Sequence, residues 1–244
     1  MLRLLTPNKL TALRVLMGGA AVFSYGSAPG NTVAIGLAAL ALTIAAFALD
    51  GLDGYLARRL NLATPLGAQL DVLGDRVLEN IFFTCFAVCG EISLWIPVIF
   101  FVRGAITDFL RGLAATRASM TGEGEALFRK AWLLNARWSR RLVASRASRV
   151  VYATLKCLCF CALGVEWLFR HNQFNPGSIT VDQLRIAANF IVASTVLFCL
   201  LRAAPVFWEG RRDFLALARP VATQTAPAQP KILRATSRPV AAAR

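Results

Sequence analysis

The sequence predicts an all-α integral membrane protein with about six transmembrane helices and short amphipathic helices at the membrane surface. Hydrophobic residues make up 57% of the 244 residues and charged residues only 16%, whereas soluble domains are about 45–50% apolar and about 25% charged. Apolar runs long enough to cross a bilayer recur along the chain, without the alternation typical of a β-barrel. The formal net charge is +14. Because the charges lie between the apolar runs, they indicate basic cytoplasmic loops or an anionic substrate, and no nucleic-acid partner.

Six apolar runs have the length of about 20 residues that suits a membrane helix. These predicted spans are residues 10–27, 32–59, 65–89, 92–113, 147–169 and 184–205. Residues 206–219 have the composition of a short amphipathic helix that lies on the membrane surface. The predicted membrane domain therefore covers residues 1–219. Residues 220–244 are rich in Pro, Ala, Thr and Arg and are predicted to form a disordered basic tail.

Basic residues concentrate in alternate connections between the predicted helices. The N-terminal arm, the second-to-third connection, the loop 114–146 and the C-terminal segment carry most of the lysines and arginines, whereas residues 28–31, 90–91 and 170–183 carry few. The positive-inside rule then places both termini and the basic loops in the cytoplasm. We expect a multi-pass protein of a bacterial inner membrane, in contact with membrane lipids and compatible with a homodimer.

Four aspartates lie in the second and third predicted helices, close to the cytoplasmic face. A rise of about 1.5 Å per residue places Asp50 about 27 Å beyond the start of its helix, near the far side of a hydrocarbon layer of about 30 Å. Counted outward from the turn at residues 61–64, Asp53 and Asp71 lie at one level, and Asp50 and Asp75 lie at the next. The two aspartates of each helix also share one helical face. We therefore expect all four carboxylates to converge.

Four converging carboxylates need positive charge nearby if they are to stay ionised. Two divalent cations would supply it, and a ligand set made only of oxygens favours Mg²⁺ or Mn²⁺ over zinc. Such a site is typical of enzymes that catalyse displacement at phosphorus. Gly51, Gly54 and Gly67 leave room either for a phosphorylated ligand or for close helix packing. Arg58 either binds a phosphate or extends to the membrane interface.

The spacing of these residues forms a recognisable signature. The pattern Asp50-x2-Asp53-Gly54-x2-Ala57-Arg58-x8-Gly67-x3-Asp71-x3-Asp75 resembles, at every fixed position, the signature of the class I CDP-alcohol phosphotransferase family. The six-helix topology also resembles that family. The N-terminal segment Pro7-Asn8-Lys9-Leu10-Thr11-Ala12-Leu13-Arg14 looks like the corresponding segment of its phosphatidylglycerophosphate synthase branch.

The resemblance implies a reaction and a role for each residue of the signature. Members of the family transfer a phosphatidyl group from CDP-diacylglycerol to a hydroxyl acceptor and release CMP. The match implies that the metals holding the pyrophosphate are bound by Asp50, Asp53 and Asp71. It implies that Asp75 is the general base on the acceptor hydroxyl and also approaches a metal. The residues implied to line the CDP site are Gly54, Ala57, Arg58 and Gly67.

Basic residues of the fourth and fifth helices predict where the acceptor binds. Arg103 lies about 16 Å into its helix, a depth at which an arginine faces a polar cavity or a partner. It shares a helical face with Arg111, while Arg149 and Lys156 share a face of the next span. These four residues are the predicted acceptor-binding set. Because arginine is well suited to phosphate, these residues predict an acceptor that carries its own phosphate. The resemblance of the N-terminal segment points the same way, and the predicted acceptor is sn-glycerol 3-phosphate.

Other interpretations stay open at the acceptor site. Gly104 stands where related enzymes that use glycerol phosphate often have an acidic residue. Residues 145–149, Ser-Arg-Ala-Ser-Arg, stand where those enzymes have a Gly-Lys-x-Lys-Thr-like segment. An inositol phosphate, serine or another alcohol is therefore an alternative acceptor. If the acceptor carries no phosphate, the arginines are ordinary cytoplasmic charge. A membrane cation transporter also uses intramembrane carboxylates, but it would distribute them along a path across the bilayer.

The charge pattern makes a prediction about topology. Single cysteines introduced within residues 114–146, in a background whose six native cysteines are replaced by alanine, should react with a membrane-impermeant maleimide only after cells are opened. Cysteines introduced within residues 170–183 serve as the matched control and should react in intact cells. Labelling of the 114–146 loop from outside intact cells would overturn the cytoplasmic placement of the aspartates.

Overall fold

The computed structural model describes residues 7–27, 33–59, 65–120, 141–143, 145–171 and 180–217. Some side chains within these ranges, including those of residues 52–59, lie outside the description. The described chain is helical and contains no strand, which confirms the all-α prediction. Its six long helices are α1 Pro7–Ser27, α2 Val33–Arg59, α3 Pro65–Val88, α4 Trp95–Met120, α5 Arg146–His171 and α6 Val181–Leu217. The predicted tail, 220–244, lies outside the described residues.

Local sequence signals set several helix ends. Pro7 and Pro65 are the first residues of α1 and α3, a position where the missing amide hydrogen costs no helical hydrogen bond. Thr180 and Gln183 form a capping box at the start of α6, since each side chain accepts a hydrogen bond from the other residue's main-chain amide. Gly90, with φ of 79°, supplies the left-handed residue that ends α3.

The helices pack so that α1 contacts both α2 and α3, while α6 contacts α4 and α5. An aromatic core fills the space between α2, α3 and α5. The ring of Phe160 lies 5.3 Å from that of Phe47, 5.0 Å from that of Phe82 and 4.7 Å from that of Phe83, measured between centroids. Aromatic pairs at such distances add to the free energy gained from burial alone. This core holds together three of the helices that carry charged residues of the site.

The exterior of the bundle is apolar, as expected for a protein surrounded by lipid. Large side chains such as Leu16, Phe23 and Phe190 are exposed on helix surfaces. Three of the described helices are long and apolar enough to cross a membrane, over Val33–Gly51, Ala147–His171 and Val181–Arg211. Together these features indicate an integral membrane protein. The number of six crossings stays a prediction.

The structure differs from the sequence-based expectation at the end of α6. The sequence predicts a short amphipathic extension on the membrane surface over residues 206–219, and in the structure this segment continues α6 through Pro205 to Leu217 without a break. Val206 and Leu110 belong to one buried cluster, and a Cβ atom on Gly210 would lie 2.9 Å from Leu110 Cδ1. The amphipathic pattern of this segment therefore reflects packing against α4.

Candidate active site and metal centre

Three of the four predicted aspartates meet at one point between α2 and α3. Asp50, Asp71 and Asp75 each offer a carboxylate oxygen, and these oxygens lie within 4.8 Å of one another. Asp71 and Asp75 are one helical turn apart on α3, and the antiparallel course of α2 brings Asp50 to the same level. The side chain of Asp53 lies outside the described residues. The role of the aspartates as metal ligands stays a prediction.

An arginine from α1 lies among these carboxylates. Arg14 pairs through Nη1 with Asp50, and the same atom lies 3.3 Å from an oxygen of Asp75. Its Nη2 lies 3.2 Å from Asp71 Oδ1 and 3.3 Å from the main-chain oxygen of that residue. The Arg14 side chain is only 1% exposed, whereas the aspartate side chains are 29–50% exposed. The arginine therefore lies on the buried side of the cluster, and the carboxylates face solvent on the other side.

A glycine on α3 makes room for this arginine. A Cβ atom on Gly74 would lie 2.9 Å from Arg14 Nη2, 3.2 Å from Thr11 Cγ2 and 3.3 Å from Val15 Cγ2. These distances are closer than ordinary contacts, so a side chain at this position would push α1 away from α3. The glycine allows the close helix approach that small residues provide in membrane bundles.

The three described aspartates fit a divalent cation. These carboxylate oxygens lie within 4.8 Å of one another, which is close to the largest separation, about 4.2 Å, of two oxygens that each lie about 2.0–2.1 Å from one Mg²⁺ ion. Three carboxylates and one guanidinium also leave a negative surplus at the cluster when all are ionised. Oxygen ligands with surplus negative charge suit Mg²⁺ or Mn²⁺.

A cavity of about 810 Å³ opens beside the aspartates. Asp50, Asp71 and Asp75 form one part of its wall. The remaining charged and aromatic lining residues are Arg76, Glu79, Arg103, Arg149, Tyr152, Lys156 and Arg202. Lys156 Nζ lies 4.0 Å from Asp75 Oδ2, so the basic part of the wall begins at the carboxylate cluster.

The structure brings three of the four predicted acceptor residues into this cavity. Arg103 comes from α4, while Arg149 and Lys156 come from α5. The side chain of the fourth residue, Arg111, lies outside the described residues. The same applies to the predicted CDP-site residues Gly54, Ala57 and Arg58. Gly67, the remaining residue of that set, lies in the first turn of α3.

Tyr152 lies at the centre of the basic wall. Its ring centroid is 5.9 Å from the guanidinium carbon of Arg103, 4.9 Å from Lys156 Nζ and 5.3 Å from the guanidinium carbon of Arg202. These distances allow cation–π attraction. The Tyr152 hydroxyl donates a hydrogen bond of 2.7 Å to Glu79 Oε1. The tyrosine thus joins three cations from three helices to a buried carboxylate.

Arg76 occupies the side of the cavity next to α4. Its Nη1 lies 3.6 Å from Glu79 Oε2, and its Nε lies 3.6 Å from Asp108 Oδ2. A Cβ atom on Gly104 would make an ordinary contact of 3.5 Å with Arg76 Nη1. Gly104 is the position where related enzymes often carry an acid. In this protein the α4 carboxylate next to Arg76 is that of Asp108, one helical turn after Gly104.

Sequence reasoning missed four residues of this site. Arg14, Arg76, Glu79 and Arg202 are absent from the predicted set. A usable signal exists for each, because each is a charged residue inside an apolar helix, and such residues generally face a cavity or a partner. Glu79 in particular extends the face of Asp71 and Asp75 by one turn.

The aspartate cluster predicts a measurable metal affinity. Mn²⁺ titrated into the purified protein should bind, and Asp50→Asn or Asp71→Asn should weaken binding by at least about tenfold, the lower end of what loss of an outer-shell partner costs. Asp182→Asn, in the first turn of α6, is the matched control and should bind Mn²⁺ as the wild type does. Equal affinity in all four proteins would exclude the cluster as the metal site.

The burial of Arg14 predicts a stability effect that depends on metal. Arg14→Gln leaves the carboxylates without their fixed cation, so the midpoint of thermal unfolding in EDTA should fall and Mn²⁺ should restore much of the loss. Breaking a fully buried pair costs about 3–5 kcal/mol. That range is an upper limit here, because solvent screens the half-exposed aspartates.

Lys9→Gln is the control for this prediction, because Lys9 is an exposed cation of the same helix. It should change the unfolding midpoint little with or without metal. If Arg14→Gln were destabilised equally in EDTA and in Mn²⁺, the arginine would be a packing element without influence on the charge of the cluster.

Comparison with known proteins shows the family of this chain. The family model described as CDP-alcohol phosphatidyltransferase matches residues 4–170, which is more than half of the chain. The chain is 29% identical over 104 residues to "Probable phosphatidylglycerophosphate synthase" of Mycobacterium tuberculosis (strain ATCC 25618 / H37Rv), covering 43% of this chain and 50% of that protein.

Two further relatives carry another printed name, "CDP-diacylglycerol--glycerol-3-phosphate 3-phosphatidyltransferase". The protein of Bacillus subtilis (strain 168) is 32% identical over 120 residues, which cover 45% of this chain and 62% of that protein. The protein of Pseudomonas fluorescens is 42% identical over 72 residues, which cover 30% and 35%. The chain thus spans about half the length of the curated relatives it matches. On the extent of the family match, the chain belongs to the CDP-alcohol phosphatidyltransferase family.

Proposed function

We propose that this protein transfers a phosphatidyl group from CDP-diacylglycerol to sn-glycerol 3-phosphate, releasing CMP and forming phosphatidylglycerophosphate. The observation that carries the proposal is the position of Asp75. This carboxylate belongs both to the aspartate cluster and to the wall of the basic cavity, where Lys156 Nζ lies 4.0 Å from it. A reaction that joins a metal-bound pyrophosphate to an anionic acceptor needs this juxtaposition. The names of the relatives support the same acceptor.

The donor is assigned to the aspartate side of the site. Two Mg²⁺ or Mn²⁺ ions are proposed, with Asp50, Asp53, Asp71 and Asp75 as their ligands. Bound divalent cations would neutralise the pyrophosphate and make CMP a better leaving group. The cytidine and its phosphates are assigned to Gly54, Ala57, Arg58 and Gly67. The family match supports this assignment because it includes all of these positions.

Asp75 is proposed as the general base. It accepts the proton of the acceptor hydroxyl while the hydroxyl oxygen forms a bond to the phosphorus that carries diacylglycerol. The bond from that phosphorus to the oxygen of CMP breaks, and CMP leaves with the electron pair. A positioned base contributes about 10²–10⁴-fold to such a step. The place of Asp75, between the cluster and the cavity, is where the two substrates would meet.

The acceptor phosphate is assigned to the basic wall of the cavity. Arg103, Arg149 and Lys156 line it together with Arg76 and Arg202. Five cations in one wall favour an acceptor that carries its own phosphate, because guanidinium groups bind phosphate oxygens well. A neutral alcohol or a zwitterion such as serine would bring no net negative charge to this wall. The site is proposed to face the cytoplasm.

The acceptor is tested with purified protein, CDP-diacylglycerol and Mn²⁺, by measuring CMP release with glycerol 3-phosphate, inositol phosphate, free inositol and serine. Glycerol 3-phosphate should be used best. Arg103→Ala and Lys156→Ala should each raise its KM at least about tenfold, the loss expected when a hydrogen bond to a charged group is removed, with the KM for CDP-diacylglycerol little changed.

Arg185→Ala is the matched control, because Arg185 lies on α6 outside the cavity and pairs with Glu166 instead. Its KM for glycerol 3-phosphate should equal that of the wild type. Turnover with free serine or free inositol, but not with glycerol 3-phosphate, would contradict the proposed acceptor. EDTA should abolish turnover reversibly in every case.

A further inference from the structure

Glu79 is a buried carboxylate in a cavity wall that otherwise carries five cations. Its side chain is only 3% exposed, yet it lines the cavity together with Arg103 and Lys156. The proposed reaction makes no use of it. A buried ionised group is costly unless it is paired and hydrogen-bonded, and a carboxylate repels a bound phosphate. A cavity that bound only a phosphate group would bind it more tightly without this carboxylate.

The neighbours of Glu79 hold it in place without using all of its hydrogen-bonding capacity. Oε1 accepts the 2.7 Å hydrogen bond from the Tyr152 hydroxyl. Oε2 lies 3.6 Å from Arg76 Nη1, which is longer than a hydrogen bond. Because an ionised carboxylate has about four acceptor positions, Glu79 can accept further hydrogen bonds from a ligand in the cavity.

The position of Glu79 relative to Asp75 indicates which ligand group it receives. The two residues are four apart on α3 and both line the cavity. Residues at this spacing have their Cβ atoms about 5–6 Å apart on one helical face. Carboxylates carried on one helical face in this way can each accept a hydrogen bond from one of two hydroxyls on adjacent carbons. The cations of α4, α5 and α6 lie around Tyr152, whose hydroxyl donates a hydrogen bond to Glu79. Glu79 therefore lies next to the cations as well as one helical turn from Asp75.

We propose that Glu79 binds the acceptor hydroxyl next to the one that reacts, so that the site selects polyol phosphates over simple hydroxyalkyl phosphates. The inference rests on the proposed function and extends it. In sn-glycerol 3-phosphate, the terminal hydroxyl lies at Asp75, the middle hydroxyl donates to Glu79, and the phosphate binds the cations. Tyr152 is a positioning residue, because it acts on the acceptor through Glu79.

The test compares two acceptors that differ only in the middle hydroxyl, glycerol 3-phosphate and 3-hydroxypropyl phosphate. The wild type should prefer glycerol 3-phosphate by about 10- to 100-fold in kcat/KM, the discrimination that a hydrogen bond to a charged group provides. Glu79→Ala should reduce the preference to less than about threefold by lowering the value for glycerol 3-phosphate alone. Glu79→Gln, which keeps the shape and an acceptor oxygen, should keep part of the preference.

Tyr152→Phe should also lower the preference without abolishing it, since the carboxylate is present but less firmly held. Glu91→Gln is the matched control, because Glu91 is equally buried but lies outside this cavity. Its preference should equal that of the wild type. A purely structural role for Glu79 would lower kcat/KM for both acceptors by the same factor, and that result would overturn the proposal.

If a variant fails to fold, the comparison of the two phosphates with the wild type alone can still overturn the proposed role of Glu79. Equal use of the two phosphates by the wild type would overturn the role of Glu79 and leave the proposed function intact. Use of neither phosphate, with turnover of serine or free inositol, would overturn the proposed function and the inference with it.

Discussion

The structure depends above all on the pairing of one buried arginine with several carboxylates at the edge of an apolar helix bundle. Oxygens of Asp50, Asp71 and Asp75 lie within 4.8 Å of one another, and ionised groups at that distance repel each other strongly in a medium of low dielectric constant. Arg14 reduces this repulsion from inside the bundle, because one guanidinium reaches all three carboxylates. The arrangement requires α1, α2 and α3 to meet closely, which Gly74 permits. What remains is a negative surplus on the open side, where a divalent cation and a pyrophosphate can bind.

In the basic cavity, on the other side of Asp75, several cations must be held close together. Its cations come from α3, α4, α5 and α6, and like charges so close together would push the helices apart. Tyr152 and Glu79 oppose this. The ring accepts three cations on or near its face, and its hydroxyl bonds to the one buried carboxylate of that wall among the described residues. The two halves of the site therefore carry opposite charge patterns, which suits a donor held by metals and an acceptor held by arginines.

Sequence reasoning reached the parts of this arrangement that depend on local periodicity. The six helices follow from apolar runs of suitable length, and the meeting of Asp50 with Asp71 and Asp75 follows from a short turn between two antiparallel helices. Arg14 and Arg202 were not predicted as site residues because their partners lie 36 or more positions away in sequence, and only tertiary packing brings them together. The contact of α6 with α4 beyond Pro205 was not predicted, since an amphipathic pattern does not reveal whether lipid or another helix covers the apolar face.

The measurement that tests the central claim most directly is an experimental structure of the protein with Mn²⁺ and CDP-diacylglycerol, in which the ions are located by anomalous scattering. The claim predicts an anomalous peak between Asp50, Asp71 and Asp75, at about 2.0–2.3 Å from their oxygens, the range for hard cations with oxygen ligands, with the pyrophosphate on its open side. It also predicts that Arg14 stays behind the carboxylates. The absence of an anomalous peak at these aspartates, or a nucleotide bound away from them, would contradict it.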